Sequence, residues 1–316
     1  MLNLTNLIFR SVNKVNRPIQ IAALLLAVMM IGDVVNANGQ STKLSPKEII
    51  SKSLASICSP DVLDVAKRRM VIAGSEFSIR SGTSNSAGRA VLASDGDNMA
   101  LFSTFNISDY RMERIGLFSN KVDIPFIVPG KRSPLGSWLM AYDRTLEDKI
   151  FGGSVFSSWQ FWQPEDSWGK METEGKKKIG DREVWVINYS PKKGLKAGSY
   201  IKLYFDAVNF HHLRTVYKQM ESERGFYDTG SKGSNVGSTG HIDDAAMANN
   251  QSTLTEDFAD YRDDKGLVLP WKYSINLKME NSGGTAEFNW QFKIEEYKLI
   301  KQFPANFFTF QKDVIP

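Results

Sequence analysis

The sequence contains a single cysteine, Cys58, so no intramolecular disulfide can form and stability has to come from the core. Nothing adjacent to Cys58 supplies a base, and it reads as a buried or semi-buried helical residue rather than a nucleophile. Histidine is nearly as scarce, with His211, His212 and His241 making up the full set. Adjacent residues on a strand point to opposite faces, so His211 and His212 cannot readily chelate one ion, and no metal site is expected. No Gly-x-Ser-x-Gly elbow, His-Glu-x-x-His, Cys-x-x-Cys or EF-hand loop occurs. No catalytic residue and no cofactor is assigned, and the chain is not expected to be an enzyme. Charge of one sign is lacking too: a net +4 over 316 residues is too slight for the basic face of a nucleic-acid binder. Long apolar runs are also missing, since residues 19–31 fall short of the roughly 20 that a membrane-spanning helix requires.

That short run has a context of its own. Arg10, Lys14 and Arg17 precede it and Val35-Asn36-Ala37 follows, which gives the three regions of a secretory signal peptide over residues 1–37. The expectation is an exported chain cleaved near Ala37, with an uncleaved anchor left open. No cysteine stands at the cleavage point, so the product is not expected to be lipid-anchored. The remaining 38–316 is read as one domain, and 42% apolar residues suffice for a sizeable core.

Ser45-Pro46-Lys47-Glu48 carries the capping serine, first-turn proline and back-reaching glutamate of a helix start. Ile49, Ile50, Leu54 and Ile57 then share one face, with a short helix or turn to follow over 62–67. Strands are predicted over 71–80, 89–94, 98–105, 110–119 and 124–128, with Asp95-Gly96-Asp97 as a hairpin turn. A helix is predicted over 134–149, capped by Ser133 and ended by Gly152-Gly153. Residues 182–218 read as a three-strand meander with a corner at Asp206–Asn209, preceded by a strand over 170–178. The cleanest alternation lies over 272–279 and 287–295, where Tyr273, Ile275, Leu277 and Met279, then Phe288, Trp290, Phe292 and Ile294, oppose polar partners. About ten strands with two or three helices predict a mainly β (α+β) fold: one highly curved antiparallel sheet, an incomplete β-barrel closed by helices.

Residues 155–168 concentrate Phe156, Trp159, Phe161, Trp162 and Trp168, either as a plug at one end of the core or as a lid over an apolar cavity. The acidic set Glu256, Asp257, Asp260, Asp263 and Asp264 is interleaved with Phe258 and Tyr261 and ends in Asp-Asp-Lys-Gly, which reads as strand and turn rather than site. Lys176-Lys177-Lys178 reads as a solvated strand end. The glycine-rich 225–251 reads as a flexible loop and lacks the Gly-Lys-Ser/Thr of a phosphate cradle.

Together the signal segment, the helix KEIISKSLASI, the corner LYFDAVNFHHLRT and DYRDDKGLVLPWKYSINL resemble the LolA/LolB-like lipoprotein-sorting carrier superfamily. GKRSPLG at 130–136, FGGSVFSSW at 151–159 and the YFD…FHHLRT segment are similar to a divergent branch of bacterial envelope proteins. The resemblance implies a half-open barrel in the periplasm, with an apolar cavity that shields the acyl chains of lipoproteins or other envelope lipids. The expected cavity lining is Ile201, Leu203 and Phe205, with Tyr273, Ile275, Leu277, Met279, Phe288, Trp290 and Phe292. Phe156, Trp159, Phe161 and Trp162 are the expected lid or mouth. Neither Arg132 nor Arg214 is assigned a gating role. The alternative is an envelope interaction or regulatory module that binds a membrane or protein partner with the same sheet.

Overall fold

Helix α1 (Pro46–Ile57) starts as its sequence dictates: the Ser45 side chain accepts from the Glu48 amide, and Glu48 reaches back to the Ser45 amide at 2.7 Å. Ile49, Ile50 and Ile57 on its inner face are fully buried. The structure, a computed structural model, describes residues 43–59, 62, 66–80, 85–107, 110–220, 251–281 and 284–310. The signal segment with its cleavage point, residues 225–250 of the expected loop with His241, and residues 63–65 lie outside the described residues. Among the described residues no helix is long and apolar enough to cross a membrane.

Among the described residues twelve strands form one antiparallel sheet that does not close. The first five are β1 (Arg69–Ile79), β2 (Asn85–Ser94), β3 (Met99–Phe105), β4 (Met112–Phe118) and β5 (Lys121–Asp123). The rest are β6 (Lys170–Ile179), β7 (Arg182–Ser190), β8 (Tyr200–Asp206), β9 (His212–Met220), β10 (Gln251–Asp264), β11 (Leu267–Asn281) and β12 (Gly284–Leu299). Their order, β5-β4-β3-β2-β1-β12-β11-β10-β9-β8-β7-β6, is two meanders joined where β1 pairs with β12. Strands β5 and β6 follow one another in sequence yet lie at opposite edges of the sheet. The connection between them, residues 124–169, therefore has to cross the sheet's width.

Two expected elements differ. No strand forms at 124–128; β5 ends before it, because Pro125 has no N–H for a ladder and Arg132 Nε donates to the Ile124 carbonyl at 2.7 Å. The helix expected over 134–149 is two, α2 (Pro134–Ala141) and α3 (Arg144–Glu147), because Tyr142 leaves helical geometry at φ −128 and ψ 49.

Alternation decides the two faces of the sheet. Tyr273, Ile275 and Leu277 are buried on the inner side while Lys272 is exposed, and the outer side carries ion pairs such as Arg214–Asp257 and Arg89–Glu295. In β12 the inward series Trp290, Phe292, Ile294 changes phase to Tyr297, because the register shifts at Ile72/Ala73 and leaves Glu295 unpaired with β1. The inner face, α1, α2 and the 150–161 segment share one apolar core.

Candidate functional site

The inner face is organised by a row of rings across neighbouring strands. His212 of β9 lies 5.2 Å from Phe205 of β8 and 4.6 Å from Phe258 of β10, Phe258 lies 5.2 Å from Tyr273 of β11, and Tyr273 lies 5.4 Å from Phe292 of β12. Trp159 from the crossing connection stacks on His212 at 5.0 Å. A second ring group, Phe77, Phe105, Tyr110 and Trp290, fills the inner face of the other meander, with Trp290 Nε1 donating to the Tyr110 hydroxyl at 2.8 Å.

The structure brings the expected lining and lid residues together. Ile201, Leu203, Phe205, Tyr273, Ile275, Leu277, Trp290 and Phe292 are buried, and Met279 and Phe288 are half-buried. Phe156, Trp159 and Phe161 are buried in the same core, and only Trp162 of the four remains half-exposed. The aromatic segment thus packs into the concavity as a cover, through 3-10 turns at Gly153–Val155 and Gln160–Trp162.

Three buried ionisable groups, none assigned from sequence, fasten this connection. Glu113 of β4 accepts from the hydroxyls of Ser133, the α2 cap, and Tyr110. Glu256 of β10 accepts from the Gly152 amide at 2.7 Å, from the Tyr217 hydroxyl at 2.6 Å, and from the Tyr273 hydroxyl. Arg69 of β1 donates to the Val155 carbonyl at 3.1 Å and to the Ser154 carbonyl. Burial pushes both carboxyls up to about 7, against the hydroxyl and amide donors that pull them down. Burial also lowers Arg69 to about 10, which leaves it charged at neutral pH. Gly152 and Gly153 make the close approach possible: both have positive φ, and a Cβ on Gly153 would lie 2.8 Å from His212 Nδ1 and from the Phe258 ring.

The two adjacent histidines differ in setting: His211 precedes β9, and His212 is its first residue. His211 stacks on Tyr261 at 4.2 Å, while His212 is fully buried. Burial lowers His212 to about 3, so it is neutral, with Nε2 2.9 Å from Thr215 Oγ1 and 3.1 Å from the Arg214 carbonyl. Glu256 lies in a strand, as the acidic set was read, and it is enclosed in the core while Asp260 and Asp263 are exposed. Its inward position was readable from its place between Leu254 and Phe258 in the same phase of β10. Among the described residues no group of three or more His, Cys, Asp or Glu side chains is placed to hold a metal.

At one edge of the cover a cleft of about 510 Å³ opens between α1 and residues 157–168. Leu54, Phe161, Trp162, Pro164 and Trp168 supply its apolar walls, and Arg69 lies at its base. The Lys47–Glu165 ion pair, 2.6 Å and exposed on both sides, spans its rim from α1 to the cover.

No family model matches the sequence, and no curated protein matches it. Among the described residues the fold is a wide antiparallel sheet, not closed into a barrel, with few helices. Among solved structures the chain is similar to a LolA superfamily protein from Nitrosomonas europaea at 11% identity and TM-score 0.42, over 84% of this chain and 98% of that one. It is similar to a DUF1329 family protein from Desulfovibrio piger at 11% identity and TM-score 0.42, over 84% and 97%. A Mycobacterium tuberculosis lipoprotein, LppX, aligns at 13% identity and TM-score 0.21, over 80% and 97%. Matches at these identities and scores assign neither ligand nor activity.

Proposed function

We propose that this chain is a non-catalytic carrier or sensor of acyl chains in the bacterial envelope, exported to the periplasm, whose apolar concavity is closed by a detachable cover. The observation that carries this reading is how the cover is held. An apolar face that served only as core would be sealed by apolar packing, yet here Arg69, Glu113 and Glu256 are buried along the seam between sheet and connection. Buried charges cost desolvation and add little net stability, so such a seam separates more readily than an apolar one of equal area. Beneath it the row Phe205, Tyr273, Phe292 and its aliphatic neighbours Ile201, Leu203, Ile275, Leu277 and Met279 would line the space, with Phe288 and Trp290 at its far end. Phe156, Trp159 and Phe161 would swing out, and Trp162 would mark the entry. Sequestering an acyl chain contributes roughly 0.8 kcal/mol per methylene, enough to offset displacing side chains of similar area.

The experiment is native mass spectrometry of the full chain isolated from the cell envelope, followed by uptake of a triacylated lipopeptide. Co-purifying lipid or saturable uptake, faster in Arg69→Gln, is expected. The carrier reading fails if neither is seen.

A second reading, an interaction or regulatory module, is favoured by the filled concavity. Its contact surface would be the cleft at Trp162 and Trp168, because Phe156, Trp159 and Phe161 are buried in the core. Photocrosslinking from position 162 would then capture protein rather than lipid.

A further inference from the structure

The outer face of the first meander carries an apolar surface of its own. In register, Ala93, Ala100 and Gly116 form a rung of small residues across β2, β3 and β4, and Val91, Phe102 and Arg114 form another rung two residues along. The intervening Leu92, Leu101 and Ile115 point the other way, into the main core. The segment after β12 packs onto the small rung, where Phe303 and Phe308 join Ala93 and Ala100 in a separate apolar cluster. The approach is close: a Cβ on Gly116 would lie 3.0 Å from the Phe310 ring and 3.2 Å from the Phe308 carbonyl oxygen. Two backbone donors tie the segment down, Ile300 N to the Arg68 carbonyl and Phe310 N to Asp123 Oδ2, both at 2.8 Å.

The rung of Val91, Phe102 and Arg114 is left as the floor of a groove of about 560 Å³, walled by Phe307 and Phe310. A second cleft, of about 460 Å³, shares Arg114 and Phe310 with it and runs on to Phe126, which is 49% exposed. Each volume lies in the range of small-molecule sites, roughly 300–1,000 Å³. Arg114 is the one charged residue among those lining the first groove. Its guanidinium lies 5.5 Å from the Phe102 ring, and its Nε is buried with no hydrogen-bond partner among the described residues. In the adjoining cleft, Asp123 already accepts from Phe310 N, and Arg132 stacks on Phe126 at 4.3 Å while donating to the Ile124 carbonyl.

We infer that this outer groove binds a single-chain anionic amphiphile, a long-chain carboxylate whose tail lies along Phe102, Phe307 and Phe310 and whose head meets Arg114. Apolar walls alone would accept any alkyl chain. A buried donor without a partner costs free energy until an acceptor reaches it, and a carboxylate supplies a charge-assisted one. The site lies on the face of the sheet opposite the concavity, so it stands or falls independently of the carrier reading.

The test is isothermal titration calorimetry of the full chain with sodium dodecanoate, with dodecyl maltoside as an uncharged tail of equal length and hexanoate as a short carboxylate. Dodecanoate is expected to bind well ahead of both. Arg114→Gln should weaken it at least tenfold and Phe307→Ala severalfold, while Arg214→Gln, on the outer face of β9, leaves it unchanged; circular dichroism confirms that each variant is folded. Equal affinity in wild type and Arg114→Gln would overturn the proposal. Binding lost in Trp162→Ala but kept in Arg114→Gln would also overturn it, by placing the ligand at the mouth of the concavity. So would binding to phosphatidylglycerol vesicles without any dodecanoate binding, which would make the face a membrane contact.

Discussion

The two apolar surfaces of the sheet are both covered by the chain itself, and the covers are fastened differently. On the inner face a connection of two helices and three 3-10 turns lies over the aromatic row, with Arg69, Glu113 and Glu256 buried along the seam. On the outer face of β2–β4 the cover is a short tail held by phenylalanine packing and two backbone N–H donors, one to the Arg68 carbonyl and one to the half-buried Asp123 carboxylate, which is not enclosed in the core. The first arrangement accepts an electrostatic penalty where apolar contact would have served, and the second does not. That contrast is the physical reason to regard the inner cover as the part that moves.

The largest effect expected concerns how much of the inner cover's hold is apolar. Trp159, fully buried and stacked on His212, should cost about 3–5 kcal/mol when replaced by Ala, read as a lower denaturation midpoint at unchanged slope. A loss below about 1 kcal/mol would mean that the cover is already loose. Next comes pH. Both buried carboxyls have folded values raised from 4.5 to about 7, so the folded state holds the proton more tightly than the unfolded chain does. Their contribution is fully present below about 4.5 and is lost as pH rises through 7, on the order of 3 kcal/mol for each group. The melting temperature should therefore fall between pH 5 and pH 8, and Glu113→Gln with Glu256→Gln should flatten the profile. A profile that rises over this interval in the wild type would contradict the buried seam.

Smaller effects sharpen the outer side. Gly116→Ala, which sets a Cβ against Phe310, should cost about 1–3 kcal/mol and speed hydrogen exchange at residues 300–310 while leaving 150–161 unchanged. Faster exchange on both faces would mean the two covers are coupled. Smallest is Asp257→Asn, which breaks the partly exposed pair with Arg214 on the solvated face and should cost less than about 1 kcal/mol in urea unfolding.

Much of this architecture was legible in the sequence because strand phase and turn chemistry are local. The helix start at Ser45, the Asp95–Asp97 turn, the Asp206 corner with Val208 N and Asn209 N on Asp206 Oδ1, and the alternation over 272–279 all appear as read. The pairing of β1 with β12 was not legible, since it joins residues at opposite ends of the chain and leaves no local trace. The break at Tyr142 escaped for a similar reason: the apolar spacing of 134–149 continues through it, and tertiary packing decides the kink. The residues expected to be lining and lid are buried or half-buried because burial follows apolar character, which says nothing yet of a ligand. The polar half of the seam was missed because Arg69, Glu113 and Glu256 look like surface residues unless their phase within each strand is weighed above their charge.

The central claim is that residues 150–168 open as a unit over a sheet that stays folded. Hydrogen exchange followed by mass spectrometry, on the full chain with and without a triacylated lipopeptide, tests it directly. The account predicts that amides of 150–168 exchange faster than those of β8, β11 and β12, and faster still with lipopeptide bound while the strands remain protected. Exchange of 150–168 only together with the whole sheet, unchanged by the lipopeptide, would contradict it.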